Sequence, residues 1–381
     1  MNAPSTLYAR IVFWEPCVSP HKSAFINAVA ERFGPGVEVS CVAHEGVPEA
    51  RQALGWGDGS AALPPTVVAP SDEEIAALVQ RGGDRCLHVF SGIRWFRTLT
   101  TALAIVQREQ RPFAIMSEPR DNAGFGGAVR YVQSWMTEAA LRRRVQFVLA
   151  IGRHGPPWFR SVGYRRERVF PFAYFLPPPA EAEVEVDMPR ASAAQLRIAY
   201  VGRLIEKKGV QFLLPAMRGL ARPARLTLIG DGELRERLVA QAKETGVDTE
   251  FCGVLPIEQV QRRMLDFDVL VLPSISKDDG WGAVVSEALM AGAAVVASHC
   301  AGASILVDNP RNGRVVRPGD SLAITAAIND LEGSGALSPH SRHTRMEWAR
   351  ERLTAHAGAS YFEQIVRHRI GDAPRPKEFY L

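Results

Sequence analysis

The sequence has no long apolar run. The longest, Ala288–Ala297, spans about ten residues, half of the ~20 that a membrane-crossing helix needs. Paired cysteines are missing too. Cys17, Cys41, Cys86, Cys252 and Cys300 stand singly, odd in number and never as CxxC. That pattern excludes a zinc or disulfide framework and reads as small buried hydrophobes in a reducing compartment. The stretch Met1–Pro16 has no basic segment followed by a long apolar one, so no signal peptide is expected. Net charge is small: 45 Lys and Arg against 41 Asp and Glu leave +4, too little to argue for nucleic acid. No Ser/His/Asp nucleophile set and no metal-ligand cluster stands out, so no metal and no cofactor are expected.

What is present is globular in kind: 381 residues, 46% apolar and 23% charged. That length suggests two domains, each able to bury a core. The charge is unevenly spread. Met1–Asp84 holds 5 Lys/Arg against 10 Asp/Glu, whereas Arg85–Leu176 holds 15 arginines against 5 acids. From Pro177 onward the balance is 25 against 26.

Short apolar runs alternate with helical periodicity. In the first half the strands are Arg10–Trp14, Val37–Ala43, Leu87–Phe90, Phe113–Met116 and Val145–Ile151. Helices are expected at Ser23–Arg32, Thr98–Gln107 and Ala128–Leu141. Between 177 and 195 a proline run and an acidic low-complexity stretch mark a linker. The alternation then restarts. Strands are expected at Leu196–Val201, Arg225–Ile229, Glu250–Cys252, Val269–Leu272, Ala294–Ala297 and Gly313–Val316. The helices among them are Val210–Leu220, Leu234–Thr245, Ile257–Leu265 and Ala283–Ala291. The expectation is α/β: two doubly wound parallel-sheet domains, with ligands at the carboxyl ends of the strands. The boundaries are 1–176, 177–195 and 196–340, with C-terminal helices over 341–381 that cross back to the first domain.

Three loops of the second domain carry chemistry. Gly202-Arg203-Leu204-Ile205-Glu206-Lys207-Lys208-Gly209 follows a strand. Gly202 permits a tight turn, and Arg203 and Lys208 are either cations for a diphosphate or solvated charges. Gly230-Asp231-Gly232 is either half of a dinucleotide fingerprint or a turn opening a helix. Asp279-Gly280-Trp281-Gly282 precedes the small-residue helix Ala283-Val284-Val285-Ser286-Glu287. Its glycines free backbone N–H groups, and the helix N-terminus adds about +0.5 charge toward a phosphate. Glu287, on an apolar helix, calls for a partner such as sugar hydroxyls.

These elements resemble the retaining GT-B glycosyltransferases of family 4, also called glycosyl transferases group 1. The likeness covers Leu196 to about Val316. It includes GRL-x-x-x-K-G at Gly202–Gly209, GDG at Gly230–Gly232, the strand Phe267–Ser274, and an altered E-x7-E region in which Asp279 stands for the first Glu. The resemblance implies a GT-B architecture, two Rossmann-like domains facing across a cleft, the first for acceptor and the second for a nucleotide-sugar donor. It implies that Arg203 and Lys208 contact the donor diphosphate and that Gly282, Ala283 and Val284 offer backbone N–H groups. Glu287 would bind ribose hydroxyls, and Val254 and Leu255 would meet the base. Gly202, Gly230, Gly280 and Trp281 would complete the donor site, and Asp279 would meet the donor sugar. The reaction implied is sugar transfer from a UDP- or GDP-sugar to a hydroxyl of a glycan or lipid-linked glycan, as in bacterial surface polysaccharide assembly. The anomeric configuration is retained and no metal is needed. A nucleotide-sugar 2-epimerase, a sugar-phosphate synthase and a non-catalytic nucleotide-sugar-binding subunit are the alternatives.

The first half follows that family only in outline. Glu15-Pro16-Cys17 stands where the family has Gly-Gly, and Glu118 or Asp121 where it has a His. His21, Glu118 and Asp121 are the acceptor-side candidates, and His88 reads as a core histidine. Trp135, Trp158 and Phe159 interleave with Arg142-Arg143-Arg144 and Arg165-Arg166, a pattern that suits either an anionic membrane surface or a solvated helix face. A cytoplasmic location, with peripheral contact to the inner membrane face, is expected.

Overall fold

The structure, a computed structural model, describes residues 8–49, 52, 65–178, 195–277, 280–371 and 373–381. The chain divides into two compact units. The first runs to Pro177 and takes in Thr354–Leu381; the second lies between Pro178 and Leu353. Most of the expected linker, residues 179–194, falls outside the described residues.

The first unit is a seven-stranded, all-parallel sheet: β1 (Arg10–Cys17), β2 (Glu38–Glu45), β3 (Thr66–Val68), β4 (Cys86–Ser91), β5 (Phe113–Ser117), β6 (Val148–Ile151) and β7 (Val169–Phe172). Their order is β3-β2-β1-β4-β5-β6-β7. β1 and β4 through β6 are almost wholly buried, because helices cover both faces. Helix Ala355–Ile370 packs on helix Pro20–Phe33: Phe362 meets Phe25 at 6.1 Å and Phe13 at 5.9 Å, and Arg32 pairs with Glu363 at 2.6 Å. Only this last helix joins the first unit; Pro339–Leu353 stays with the second.

The second unit has six parallel strands: β8 (Leu196–Val201), β9 (Ala224–Ile229), β10 (Thr249–Gly253), β11 (Val269–Leu272), β12 (Ala294–Ser298) and β13 (Gly313–Val316). They run β10-β9-β8-β11-β12-β13. Both sheets therefore reverse direction of strand addition beside their first strand, at β1/β4 and at β8/β11, where doubly wound folds bind ligands.

Some expected elements differ. Val210–Leu220 is a 3-10 turn, Val210–Phe212, and then a short helix, Leu213–Met217. Pro215 lacks an N–H and fits only a first helical turn, so the helix starts late. Ala128–Leu141 is two helices, Gly124–Thr137 and Ala139–Arg144. The sequence reading passed over β3, β7 and helix Asp72–Gln80. That helix announces itself by a capping box in which Ser71 and Glu74 exchange hydrogen bonds. No helix among the described residues is long and apolar enough to cross a membrane.

Candidate functional site

In the second unit the loops after β8, β9 and β11 lock together through glycines. The N–H of Gly202 donates to the Ile229 carbonyl at 2.9 Å, and Leu204 donates to the Asp231 carbonyl at 2.8 Å. Gly230 has φ +129°, and a β-carbon there would lie 2.1 Å from the Gly202 carbonyl oxygen. A β-carbon on Gly232 would lie 2.6 Å from the Leu204 oxygen. The Gly-Asp-Gly turn is thus the wall against which the Gly202–Gly209 loop is laid. Buried Tyr200 supports that loop by donating its hydroxyl to the Arg203 carbonyl at 2.7 Å. At the far end Gly209, φ +70°, presses on Pro273: a β-carbon would meet its carbonyl oxygen at 2.1 Å. The N–H of Ile275 donates to the Lys207 carbonyl at 3.0 Å. This framework holds two cationic residues, exposed Arg203 and half-buried Lys208, on the loop at the β8/β11 reversal.

The loop before helix Ala283–Met290 is held as firmly. Gly302 and Ala303 donate their N–H groups to the carbonyls of Gly280 and Trp281 at 2.9 and 2.7 Å. Trp281 is 1% exposed, and its indole N–H donates to the Ser286 hydroxyl at 3.2 Å. Its side chain is therefore core and not a donor contact, a correction to its expected place. Gly282, φ +80°, caps the helix without a side-chain hydrogen bond. The N–H groups of Ala283 and Val284 belong to the first turn of the helix. Glu287 sits one turn further on, half-buried. Desolvation pushes its pKa up to about 7, while a hydrogen bond with the Gln261 side chain pulls the other way. Gln261 comes from helix Ile257–Met264, which follows exposed Val254 and half-buried Leu255. Asp279 lies outside the described residues.

Sequence reasoning missed what fixes the other end of the Glu287 helix. Buried Arg342 donates to the carbonyls of Ala291 (2.8 Å), Phe267 (2.7 Å) and Leu265 (2.6 Å). Arg345 donates to Gly292 (2.7 Å) and Ala336 (2.6 Å), and burial lowers its pKa to about 10. Cations near a helix C-terminus complete its orphan carbonyls and suit its dipole. Both arginines sit in a polar helix with a weak pattern, so nothing in the sequence marked them.

The first unit places a different set at its β1/β4 reversal. Lys22 Nζ donates to Glu15 Oε2 at 2.7 Å and to Ser91 Oγ at 2.6 Å, and Ser91 donates to Glu15 Oε1 at 2.6 Å. Glu15 is 2% exposed. A buried carboxylate needs such partners. The only sequence signal was an acid interrupting an apolar strand. His21 lies beside Lys22 in the first turn of helix Pro20–Phe33, half-buried. Glu118 is half-buried after β5. Asp121 pairs with Arg130 at 3.0 Å and accepts the Ala123 N–H at 3.0 Å, contacts that fix the loop after β5. His88 is core, as read: Trp14 donates to its Nδ1 at 3.2 Å, and burial holds its pKa at about 3. Among the described residues no three His, Cys, Asp or Glu side chains gather as a metal set.

Two parallel-sheet units with these loops define a GT-B fold. The chain superposes on Anabaena Alr3699/HepE, solved in complex with UDP, with a TM-score of 0.69 at 18% identity over 94% of this chain and all of the other. The lipopolysaccharide outer core galactosyltransferase WaaB gives 0.64 at 17% identity, covering 95% and 100%. In sequence, residues 195–333 match the family Glycosyl transferases group 1. Glycogen synthase of Mycobacterium tuberculosis is 32% identical over 172 residues, 44% of this chain and 40% of that protein. The putative colanic acid biosynthesis glycosyltransferase WcaL of Escherichia coli is 29% identical over 224 residues, 54% and 52%. The chain thus spans about half the length, or less, of these curated relatives.

Proposed function

We propose that this protein is a retaining glycosyltransferase that moves a sugar from a nucleotide-sugar donor to a hydroxyl of a glycan or lipid-linked glycan. The observation that carries this reading is the interlocked loop set of the second unit, which lies within the matched residues 195–333. It holds Arg203 and Lys208 on one loop, with the first-turn N–H groups of Ala283 and Val284 and the Glu287 carboxylate on the helix after another. Positive charge and fixed N–H dipoles suit a diphosphate, and a carboxylate suits vicinal ribose hydroxyls.

In the proposed reaction the bond from the anomeric carbon to the diphosphate oxygen breaks. The acceptor oxygen forms its bond on the same face, and its proton passes to the departing diphosphate. Arg203 and Lys208 stabilise the charge that develops there, so the step needs no divalent ion. UDP is the first nucleotide to test, because the Anabaena structure carries it. A role in bacterial surface polysaccharide assembly belongs to the same proposal and draws on likeness to the colanic acid enzyme.

A thermal-shift screen with UDP, GDP, ADP and their sugars tests the donor site. A ligand at 100 times its Kd stabilises by about 2.7 kcal/mol. One nucleotide series is expected to raise Tm in this way, and silence from all three would overturn the reading. Product analysis with the selected donor then separates transfer from epimerisation.

A further inference from the structure

Helix Gly124–Thr137 shows its apolar side to solvent. Its only buried residues are Gly127 and Ser134. Opposite them, at i, i+4, i+7 and i+11, lie Phe125, Val129, Val132 and Met136, which are 87%, 52%, 53% and 69% exposed. At 100° per residue these four fall within about 60° of arc, pointing away from the unit's core. Trp135 borders the stripe at 54% exposure. Arg94 reaches the helix's last residue by a hydrogen bond to Thr137 Oγ1 at 3.2 Å, and the residue after it, Trp95, is 87% exposed, with φ +76°. A soluble protein rarely leaves so continuous a stripe open.

The charges around the stripe are of one sign. Its two nearby acids are already paired, Asp121 with Arg130 and Glu138 with Arg94 at 2.6 Å. Among the described residues Arg142 and Arg143 form no salt bridge, while Arg120 turns to the helix's buried side and donates to Ser134 Oγ at 2.9 Å. Arg142 stacks over the Trp135 ring at 5.5 Å. Two such faces brought together would oppose arginine to arginine. An anionic lipid surface would complement them.

We propose that this helix is a membrane-docking element that lies in the interface of an anionic bilayer, its stripe among the acyl chains and its arginines at the headgroups. A helix with an apolar face, tryptophans at its border and a basic rim lies in the interface plane and does not span. The surface keeps Trp135, Arg142 and Arg143 of the pattern the sequence suggested but not Trp158 and Phe159, which are 5% and 4% exposed, part of the core. The inference goes beyond the donor site and stands or falls apart from it.

The test is sedimentation of the full chain with vesicles of phosphatidylcholine containing 30–40% phosphatidylglycerol (roughly the anionic share that gives a strong surface potential), against pure phosphatidylcholine. Binding is expected to the anionic vesicles, to weaken at high salt, and to drop at least tenfold in Phe125→Ser/Met136→Ser. That variant changes only outward side chains; unchanged Tm confirms its fold. A second variant, Arg143→Glu, reads the charge without touching the stripe and is expected to weaken binding severalfold. No binding to anionic vesicles, or equal binding by the serine variant, overturns the proposal. So does a wild-type dimer in light scattering that the serine variant dissociates, because the stripe would then belong to a second copy.

Discussion

Gly230 lies so close to Gly202 that a β-carbon on the first would sit 2.1 Å from the carbonyl oxygen of the second. The turn after β9 is in this way the template for the loop after β8. Gly230→Ala must push the two loops apart and also strains a φ of +129°. A loss of at least about 2 kcal/mol is expected in urea unfolding, with weakened nucleotide binding. A variant that melts like wild type and binds as well would show that the contact does not set the loop.

Lys208→Ala is expected to lower transfer by about 10²-fold or more while Tm stays near that of wild type. Arg203→Ala should act in the same direction. Turnover by the wild type is expected to survive EDTA. An unchanged rate in Lys208→Ala would remove the residue from the site.

Glu287 gives the site a pH signature. Its pKa of about 7 lies above the ordinary 4.5, so the folded chain holds an extra proton between those values. Its contribution to stability is full below pH 4.5 and is lost as pH rises through 7. Ribose hydroxyls donate best to the ionised form. Affinity for UDP, or for whichever nucleotide the screen selects, should therefore improve roughly tenfold from pH 6 to pH 8. Calorimetry at the two values, with Glu287→Gln as the flat control, checks this.

Trp281→Phe keeps an aromatic ring but loses the pyrrole part of the indole with its hydrogen bond to Ser286. It should cost about 1–3 kcal/mol and leave nucleotide affinity intact. Trp281→Ala empties the site and should cost about 3–5 kcal/mol. Chemical unfolding of both variants, with a nucleotide titration of the first, separates a core role from a ligand contact.

Lys22→Met would leave Glu15 buried beside Ser91 with no cation. About 3 kcal/mol of stability should be lost. Lys22→Arg, which restores the charge, should recover part of it. If Lys22→Met unfolds at the same urea concentration as wild type, the pair is not holding the end of β1.

The sequence alone determined the two-unit plan. Buried parallel strands are short apolar runs, and their spacing by helices repeats in both halves. It also marked the interlocked glycine loops after β8, β9 and β11, because a glycine needed at a turn or close approach shows in one dimension. Tertiary structure decided which side chains are exposed and which are core. Trp281, Trp158 and Phe159 read as surface aromatics beside glycines or arginines, yet all three are buried. The pairing of Asp121 with Arg130 likewise shows only in three dimensions. Glu15, Lys22 and Ser91, up to 76 residues apart, meet only because β1 and β4 are neighbours in the sheet. The stripe on Gly124–Thr137 was invisible for the same reason. Helical periodicity says which residues share a face, and only packing says whether that face turns toward the core or away from it.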